Sequence, residues 1–359
     1  MHFDQRETTT GNEQAENVRM LRDSAASLLG NDLARVRKLR FEPSGFDKAV
    51  WREMCGLGWL GLRIAETKGG VGFGMQEYCA LAEELGTALA PEPLIFGAVA
   101  ARCLPDELMP KVLAGERIVL PVWQEKQSIG AGATQTMTLH GRKLNGEIRS
   151  VMYAKGAHSF LVATGSGVAL VDATAAGLTM DVEPTQDGGH CGHIRFDNVE
   201  AMPLPAADFE SAVTEGTLAM SGYLLGVAQR AFRITADYMK IRRQFGVPIG
   251  SFQALQHRLV DLYLELSLMR ASMESAAVTI DSGGAHLTKL AAVSRAKARA
   301  SRGALRVCRE AIQLHGAIGY TDEADIGLFM RKTMTFVNAF GSERKHRTRF
   351  LELTKMANA

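Results

Sequence analysis

A long helical run in this chain ends in Gln313-Leu314-His315-Gly316-Ala317-Ile318-Gly319-Tyr320. Glycines such as Gly316 and Gly319 let backbone come closer to a ligand than any side chain permits, and the Gln313 amide both donates and accepts. The plain alternative, a helix C-cap followed by a turn, uses the same residues, and both readings can hold together. The helix before Gln313 carries Arg295, Arg299, Arg302, Arg306 and Arg309 on one stripe. A solvated face is the ordinary placement of such arginines; the alternatives are a subunit interface or a face near bound phosphates, where the guanidinium fork is well suited. Beyond the glycines comes Phe340-Gly341-Ser342, which offers no group that accepts a proton.

Other chemistries are weakly represented. No Gly-x-Gly-x-x-Gly after a strand, no Gly-x4-Gly-Lys-Ser/Thr and no Gly-x-Ser-x-Gly occurs, which argues against Rossmann, P-loop and nucleophile-elbow sites. His190-Cys191-Gly192-His193 has metal-ligand residue types, but no second ligand cluster accompanies it. Gly188 and Gly189 precede it, so a surface turn is the expectation and no metal is assigned. The five cysteines are odd in number and scattered, as packed reduced thiols are. A formal net charge of +2 gives no case for nucleic-acid binding. No apolar run approaches the roughly 20 residues that span a bilayer. The polar stretch from Met1 to Gly30 lacks a signal-peptide core, so the expectation is a cytoplasmic protein that binds no membrane.

The elements that must position these residues fall into three blocks, 1–115, 116–205 and 206–359. At 359 residues the chain is long enough for two or three domains. The first block is helical: Trp51, Met54, Cys55, Leu57 and Leu60 recur at 3–4 spacing, as do Tyr78, Leu81, Ala82 and Leu85. Breaks are expected at Lys68-Gly69-Gly70-Val71-Gly72 and at Gly86, and an extended segment at Pro91-Glu92-Pro93. The second block is a small β-domain. Short apolar or alternating runs lie at 118–122, 136–139, 159–163 and 168–171, and His193 to Val199 is expected as its last strand. In the third block Phe252, Leu255, Leu259, Leu262, Leu266, Met269, Met273, Ala276 and Ile280 form one buried stripe closed by Gly283-Gly284, and a further helix runs from Ala285 to His315. Antiparallel helices of this length suit a four-helix bundle.

Several motifs in this order resemble the acyl-CoA dehydrogenase family over most of the chain. The first block has Leu57-Gly58-Trp59-Leu60-Gly61-Leu62, Glu66-Thr67-Lys68-Gly69-Gly70-Val71-Gly72 and Ala82-Glu83-Glu84-Leu85-Gly86. The third has Tyr238-Met239-Lys240-Ile241-Arg242-Arg243-Gln244-Phe245-Gly246, then Phe252-Gln253 and Gln256-His257, then Gln313 to Glu323. The resemblance implies an α+β fold with an N-terminal helical domain, a middle β-domain and a C-terminal four-helix bundle. It also implies FAD as cofactor, an acyl-CoA thioester as substrate, a dimer at least, and an electron-transfer flavoprotein as acceptor. In the family the C-terminal surface grips FAD held mainly by the neighbouring subunit. That assigns FAD contacts to Arg242, whose guanidinium suits the pyrophosphate, and to Phe245, Gln253, Gln313 and Gly316; a surface arginine is the alternative for Arg242.

The departures from the family pattern are as informative. The family reaction needs a carboxylate to remove the α-proton of the thioester, on the Glu of a Tyr-Glu-Gly-Thr stretch. Here the matching run is Ala339-Phe340-Gly341-Ser342, so Phe340 replaces the base. Some members place the base before the Arg-x-x-Phe-Gly motif; the matching site is Gly216, with Glu215 adjacent, and the alternative for Glu215 is a solvated side chain near a helix start. Where the family cradles the flavin ring, this chain has Val122-Trp123-Gln124-Glu125 and Ser150-Val151-Met152-Tyr153, without the usual hydroxyl donors. Trp123 is either a core residue or a stacking partner of the ring. Ala65 stands where the family usually has Pro. The pattern resembles the smaller, base-lacking subunit of heteromeric acyl-CoA dehydrogenases, such as those acting on steroid side chains or dicarboxylic acyl-CoAs, paired with a larger subunit that carries the glutamate. Two alternatives stay open: a homo-oligomeric dehydrogenase with a relocated base near Glu215, and a non-catalytic acyl-CoA or partner-binding scaffold.

Overall fold

The computed structural model describes residues 5–30, 32–123, 137–165, 167–205 and 209–357. Helices α1 (Gln5–Leu29), α2 (Ala34–Leu39), α3 (Lys48–Gly56), α4 (Met75–Thr87), α5 (Leu94–Ala101) and α6 (Met109–Leu113) come first. Strands β1 (Val119–Val122), β2 (Thr138–His140), β3 (Lys143–Met152), β4 (Ser159–Thr164), β5 (Gly167–Asp172), β6 (Leu178–Pro184), β7 (His190–Glu200) and β8 (Met202–Leu204) follow. The last part holds α7 (Phe209–Ile241), a short hairpin of β9 (Arg243–Gln244) and β10 (Val247–Pro248), then α8 (Gln253–Asp281), α9 (His286–His315), α10 (Ile326–Phe336) and α11 (Glu343–Ala357). Helices, then sheets, then helices is the expected order. No helix among the described residues is long and apolar enough to cross a membrane.

Residues 1–35, 74–90 and 217–359 form one compact unit, and 36–73 and 91–216 form a second. In the first unit α1 packs on α4, α4 on α8, and α9 against α8, α10 and α11. The apolar stripe of α8 is buried at Leu262, Leu266, Met269, Met273 and Ala276 and half-buried at its ends, Phe252, Leu255, Leu259 and Ile280. Gly86 does not interrupt its helix as expected. It lies within α4 because the backbone of α7 passes there: a Cβ on Gly86 would stand 1.9 Å from the Tyr223 carbonyl oxygen. Charges inside this unit are paired, as burial demands. Glu83 is buried between Arg22, at 2.7 Å, and Arg270. Asp281 accepts from the Met75 and Gln76 N–H groups and so caps the start of α4.

In the second unit β1-β4-β5-β8 form one four-stranded sheet, β1 and β4 being parallel, and β2-β3-β7-β6 form an antiparallel one. The last strand is therefore β8 rather than β7: after Glu200 the chain crosses to the other sheet, where Met202 to Leu204 pair with β5. Strand β6, and β3 before Ser150, lay outside the runs picked from the sequence. Their apolar residues are interleaved with Asn, Glu, Arg, Asp and Thr, because one face is solvated and the apolar signal is diluted. All eight residues of α5 are buried, and α5 packs on β1. Trp51 and Trp59 fill the same core, and Trp51 Nε1 donates to the Gly115 carbonyl at 3.2 Å. The Thr136 end of one expected strand lies outside the described residues.

Candidate functional site

Helix α7 hands the chain to the hairpin within one turn. The Arg242 N–H still donates to the Tyr238 carbonyl, and the Ile249 N–H closes the hairpin on the Arg242 carbonyl at 2.8 Å. The two-residue loop is Phe245-Gly246, with φ of 53° and 82°. Positive φ at both central positions is the geometry of the I′ turn that joins right-twisted strands. It throws the Phe245 side chain outward, where it is 92% exposed, touched edge-on by the Phe252 ring at 6.1 Å. Arg242 and Gln253 are exposed as well.

Helix α9 arrives at the same end of the helical unit. Its last residue, His315, stacks on the Tyr238 ring at 4.3 Å and 18°, and the Tyr238 hydroxyl donates to the His315 carbonyl. Arg258, in the second turn of α8, pairs with Glu310 of α9. The C-terminus of α7, the N-terminus of α8 and the C-terminus of α9 are thereby gathered together. Gln313 is exposed, and Gly316 (φ 69°) has nothing within 4 Å of where a Cβ would stand. The five residues marked in the sequence, Arg242, Phe245, Gln253, Gln313 and Gly316, all face solvent at this end. The helix-cap reading of Gly316 holds too, since Gly316 is the C-cap of α9.

The Phe340 turn is the reverse case. It joins α10 to α11, and Phe340 (φ 59°) is followed by Gly341 (φ 105°). Phe340 is 3% exposed. The turn's carbonyls are capped from inside. Lys297 of α9, fully buried, donates to Val337 O at 2.8 Å, Gly341 O at 3.2 Å and Ser301 Oγ at 2.8 Å. His346 Nε2 of α11 donates to Phe340 O at 2.7 Å. Neither Lys297 nor His346 was singled out in the sequence. A signal was available: Lys297 is a lysine in register with the buried Val293, Ala296, Ala300 and Ala304 of α9.

Glu215 is not the solvated side chain offered as an alternative. It is 7% exposed and lies in the second turn of α7, held by two guanidiniums of the second unit. Arg63 grips both its oxygens, at 3.0 and 3.1 Å, and Arg102 donates to Oε2 at 2.6 Å. Arg63 also donates to the Phe73 carbonyl at 2.6 Å. A carboxylate with both oxygens engaged by guanidiniums has its hydrogen-bonding capacity committed to structure.

In the sheets, Tyr153 (φ 59°) is buried with edge-on contacts to Phe46, Phe96 and His190. Ser150 (φ 60°) is exposed beside the bulge between Ile148 and Val151. Trp123 is half-buried with an edge contact to Phe209; Gln124 and Glu125 lie outside the described residues. His190-Cys191-Gly192-His193 opens strand β7 and is not a surface turn. His190 is buried, its Nε2 accepts from the Lys155 N–H at 3.0 Å, and burial pushes its pKa down. Among the described residues no group of three or more His, Cys, Asp or Glu could hold a metal. Of the arginine stripe on α9, Arg299 and Arg306 pair with the buried Glu265 of α8 at 3.3 Å each, while Arg302 and Arg309 are exposed. All five thiols are free, with Cys55, Cys79 and Cys308 buried.

Residues 15–105 match the acyl-CoA dehydrogenase N-terminal domain, and residues 208–352 match its C-terminal domain. The chain is 30% identical over 320 residues to acyl-CoA dehydrogenase IpdE2 of Mycobacterium tuberculosis, covering 88% of this chain and 91% of that protein. It is 31% identical to acyl-CoA dehydrogenase FadE27 of the same organism, over 76% of this chain and 79% of that one. Among solved structures it is similar to a variant of the Tcur3481-Tcur3483 steroid ACAD, with a TM-score of 0.86, 31% identity and coverage of 97% of this chain and 99% of that chain. It is also similar to the ChsE4-ChsE5 complex from Mycobacterium tuberculosis, with a TM-score of 0.84, 25% identity and coverage of 96% and 98%. FAD is the cofactor of the family these domains define. With both domains matched and relatives covered almost end to end, the chain belongs to the acyl-CoA dehydrogenase family, oxidoreductases acting on acyl-CoA CH–CH bonds.

Proposed function

We propose that this chain is the base-lacking subunit of a heteromeric acyl-CoA dehydrogenase, and that it completes an FAD site shared with a larger subunit carrying the catalytic glutamate. The observation that carries the reading is the contrast between residue 340 and the end of the helical unit. A buried phenylalanine stands where the family keeps its base, while the cofactor-gripping set of Arg242, Phe245, Gln253, Gln313 and Gly316 stays outward and open. FAD fits that set: an exposed guanidinium for the pyrophosphate, two amides, an apolar ring, and a glycine with open space where a side chain would intrude. Bound FAD supplies the electron sink for dehydrogenation of the thioester. This chain's residues hold and orient it, and the larger subunit takes the α-proton.

The similar structures include a heteromeric pair and a steroid ACAD. They support a bulky, ring-containing acyl-CoA as the substrate of the assembly; an electron-transfer flavoprotein is the acceptor that the family resemblance implies. Glu215 is not favoured as a relocated base, because Arg63 and Arg102 already engage both its oxygens. The test is co-expression with candidate larger acyl-CoA dehydrogenase subunits that carry the glutamate, followed by flavin content and acyl-CoA oxidation. The reading expects activity in the pair and none in this chain alone. Oxidation by this chain alone, abolished by Glu215→Gln, would overturn it.

A further inference from the structure

We infer that Tyr238 and His315 are positioning residues for the FAD contact, a ring pair that locks the hairpin and the glycine turn into one cradle. The inference rests on the reading above, that Arg242 and Gln313 grip FAD.

The geometry is specific. Tyr238 lies one helical turn before Arg242, whose N–H it accepts, so its ring sits in the last full turn before the hairpin. His315 lies between Gln313 and Gly316, at the very end of α9. The two rings are nearly parallel at 4.3 Å. The Tyr238 hydroxyl then reaches the His315 carbonyl at 3.3 Å. That carbonyl belongs to the last residue of α9 and opens the 3-10 turn Gly316–Tyr320, so the bond ties the ring of Tyr238 to the junction of the two. The imidazole is itself fixed: Nδ1 lies 2.8 Å from the Ala311 carbonyl. A carbonyl only accepts, so Nδ1 carries the proton. His315 is buried, and burial pushes its pKa down, which favours the neutral ring.

The consequence is a division of labour. Arg242, Phe245, Gln313 and Gly316 are exposed on segments that leave helix ends. Each alone would be free to sample several directions. The stack places one contact element at a fixed distance from the other before FAD arrives, which lowers the ordering cost of binding. Neither ring needs to touch the cofactor.

The experiment measures FAD affinity by flavin fluorescence on the apo form of the assembled flavoprotein, reconstituted with added FAD. Four variants are compared: Arg242→Ala, His315→Ala, His315→Phe and Tyr238→Leu. Arg242→Ala serves as the control for the contact itself. The expected result is that Arg242→Ala, His315→Ala and Tyr238→Leu each weaken FAD about tenfold, while His315→Phe, which keeps an aromatic face, stays within about threefold. If Arg242→Ala weakens FAD and neither His315→Ala nor Tyr238→Leu does, the positioning role is wrong and the contact stands. If Arg242→Ala has no effect, the contact reading fails and the inference with it. If His315→Phe is as weak as His315→Ala, ring stacking is not the device. Should His315→Ala fail to fold, as judged by circular dichroism, the half-buried Tyr238 carries the test through Tyr238→Leu alone.

Discussion

The chain contains two Phe-Gly pairs in left-handed backbone, and they do opposite things. Phe245-Gly246 turns outward at a hairpin tip with its ring in water. Phe340-Gly341 turns inward, its ring buried and its carbonyls capped by Lys297 and His346. A phenylalanine at positive φ is uncommon and costs on the order of 1–3 kcal/mol. In the turn at 340 that cost is offset inside the chain by packing and hydrogen bonds. At 245 the ring has an edge contact to Phe252, and the Gly246 carbonyl accepts from the exposed Arg243 at 2.8 Å. The ring itself is left in water beside the exposed Arg242, which is the arrangement the proposed FAD contact uses. One turn is closed on the core and the other is open to solvent.

The largest expected effect separates the two turns directly. Phe340→Ala should cost roughly 3–5 kcal/mol of stability through the cavity it leaves, whereas Phe245→Ala should stay within about 0.5 kcal/mol. Urea unfolding of both variants measures the difference; equal costs would erase the comparison. Lys297→Met comes next. It removes the buried ammonium from the Gly341 carbonyl and the Ser301 hydroxyl and leaves the Val337 carbonyl its bond from Ser301 Oγ, at roughly 2–4 kcal/mol. An unchanged urea midpoint would mean that Lys297 does not clamp the turn. Arg242→Ala should leave the urea midpoint unmoved while weakening FAD about tenfold in the assembly. A fall in stability without a fall in affinity would make it a structural arginine.

The smallest effect is in pH. Burial lowers the folded-state pKa of His190 and of His315 below the ordinary value of 6.5. Well above pH 6.5 both rings are neutral in either state, and the native state carries no penalty. As pH falls below 6.5 the unfolded chain takes up protons that the native rings resist, so stability declines toward pH 5. Urea midpoints at pH 7 and pH 5 should show this decline, and His315→Phe should reduce it. A steeper decline in that variant would contradict the assignment.

The legible parts of the sequence were those with periodic burial. The α8 stripe, the α9 span and the strands β1, β4 and β5 follow from apolar spacing. The assignment of Arg242 and Phe245 to a proposed FAD contact rests on motif resemblance, because nothing local in the sequence sets Arg242 apart from any solvated arginine. What the sequence hid was tertiary. Gly86 looked like a helix break because its purpose, the approach of α7, involves residues far along the chain. His190 looked like part of a turn because Gly188 and Gly189 precede it, yet β7 begins there. Glu215 looked available because Arg63 and Arg102 lie more than 100 residues away in sequence. The interleaving of residues 74–90 with 217–359 leaves no trace in composition.

Flavin content tests the central claim most directly. This chain is purified alone and, in parallel, co-expressed with candidate larger acyl-CoA dehydrogenase subunits, and bound FAD is read from the visible absorbance spectrum. The account predicts a colourless chain alone and a yellow, acyl-CoA-oxidising pair that loses FAD affinity on Arg242→Ala. A yellow protein that oxidises an acyl-CoA with no second subunit present would contradict it.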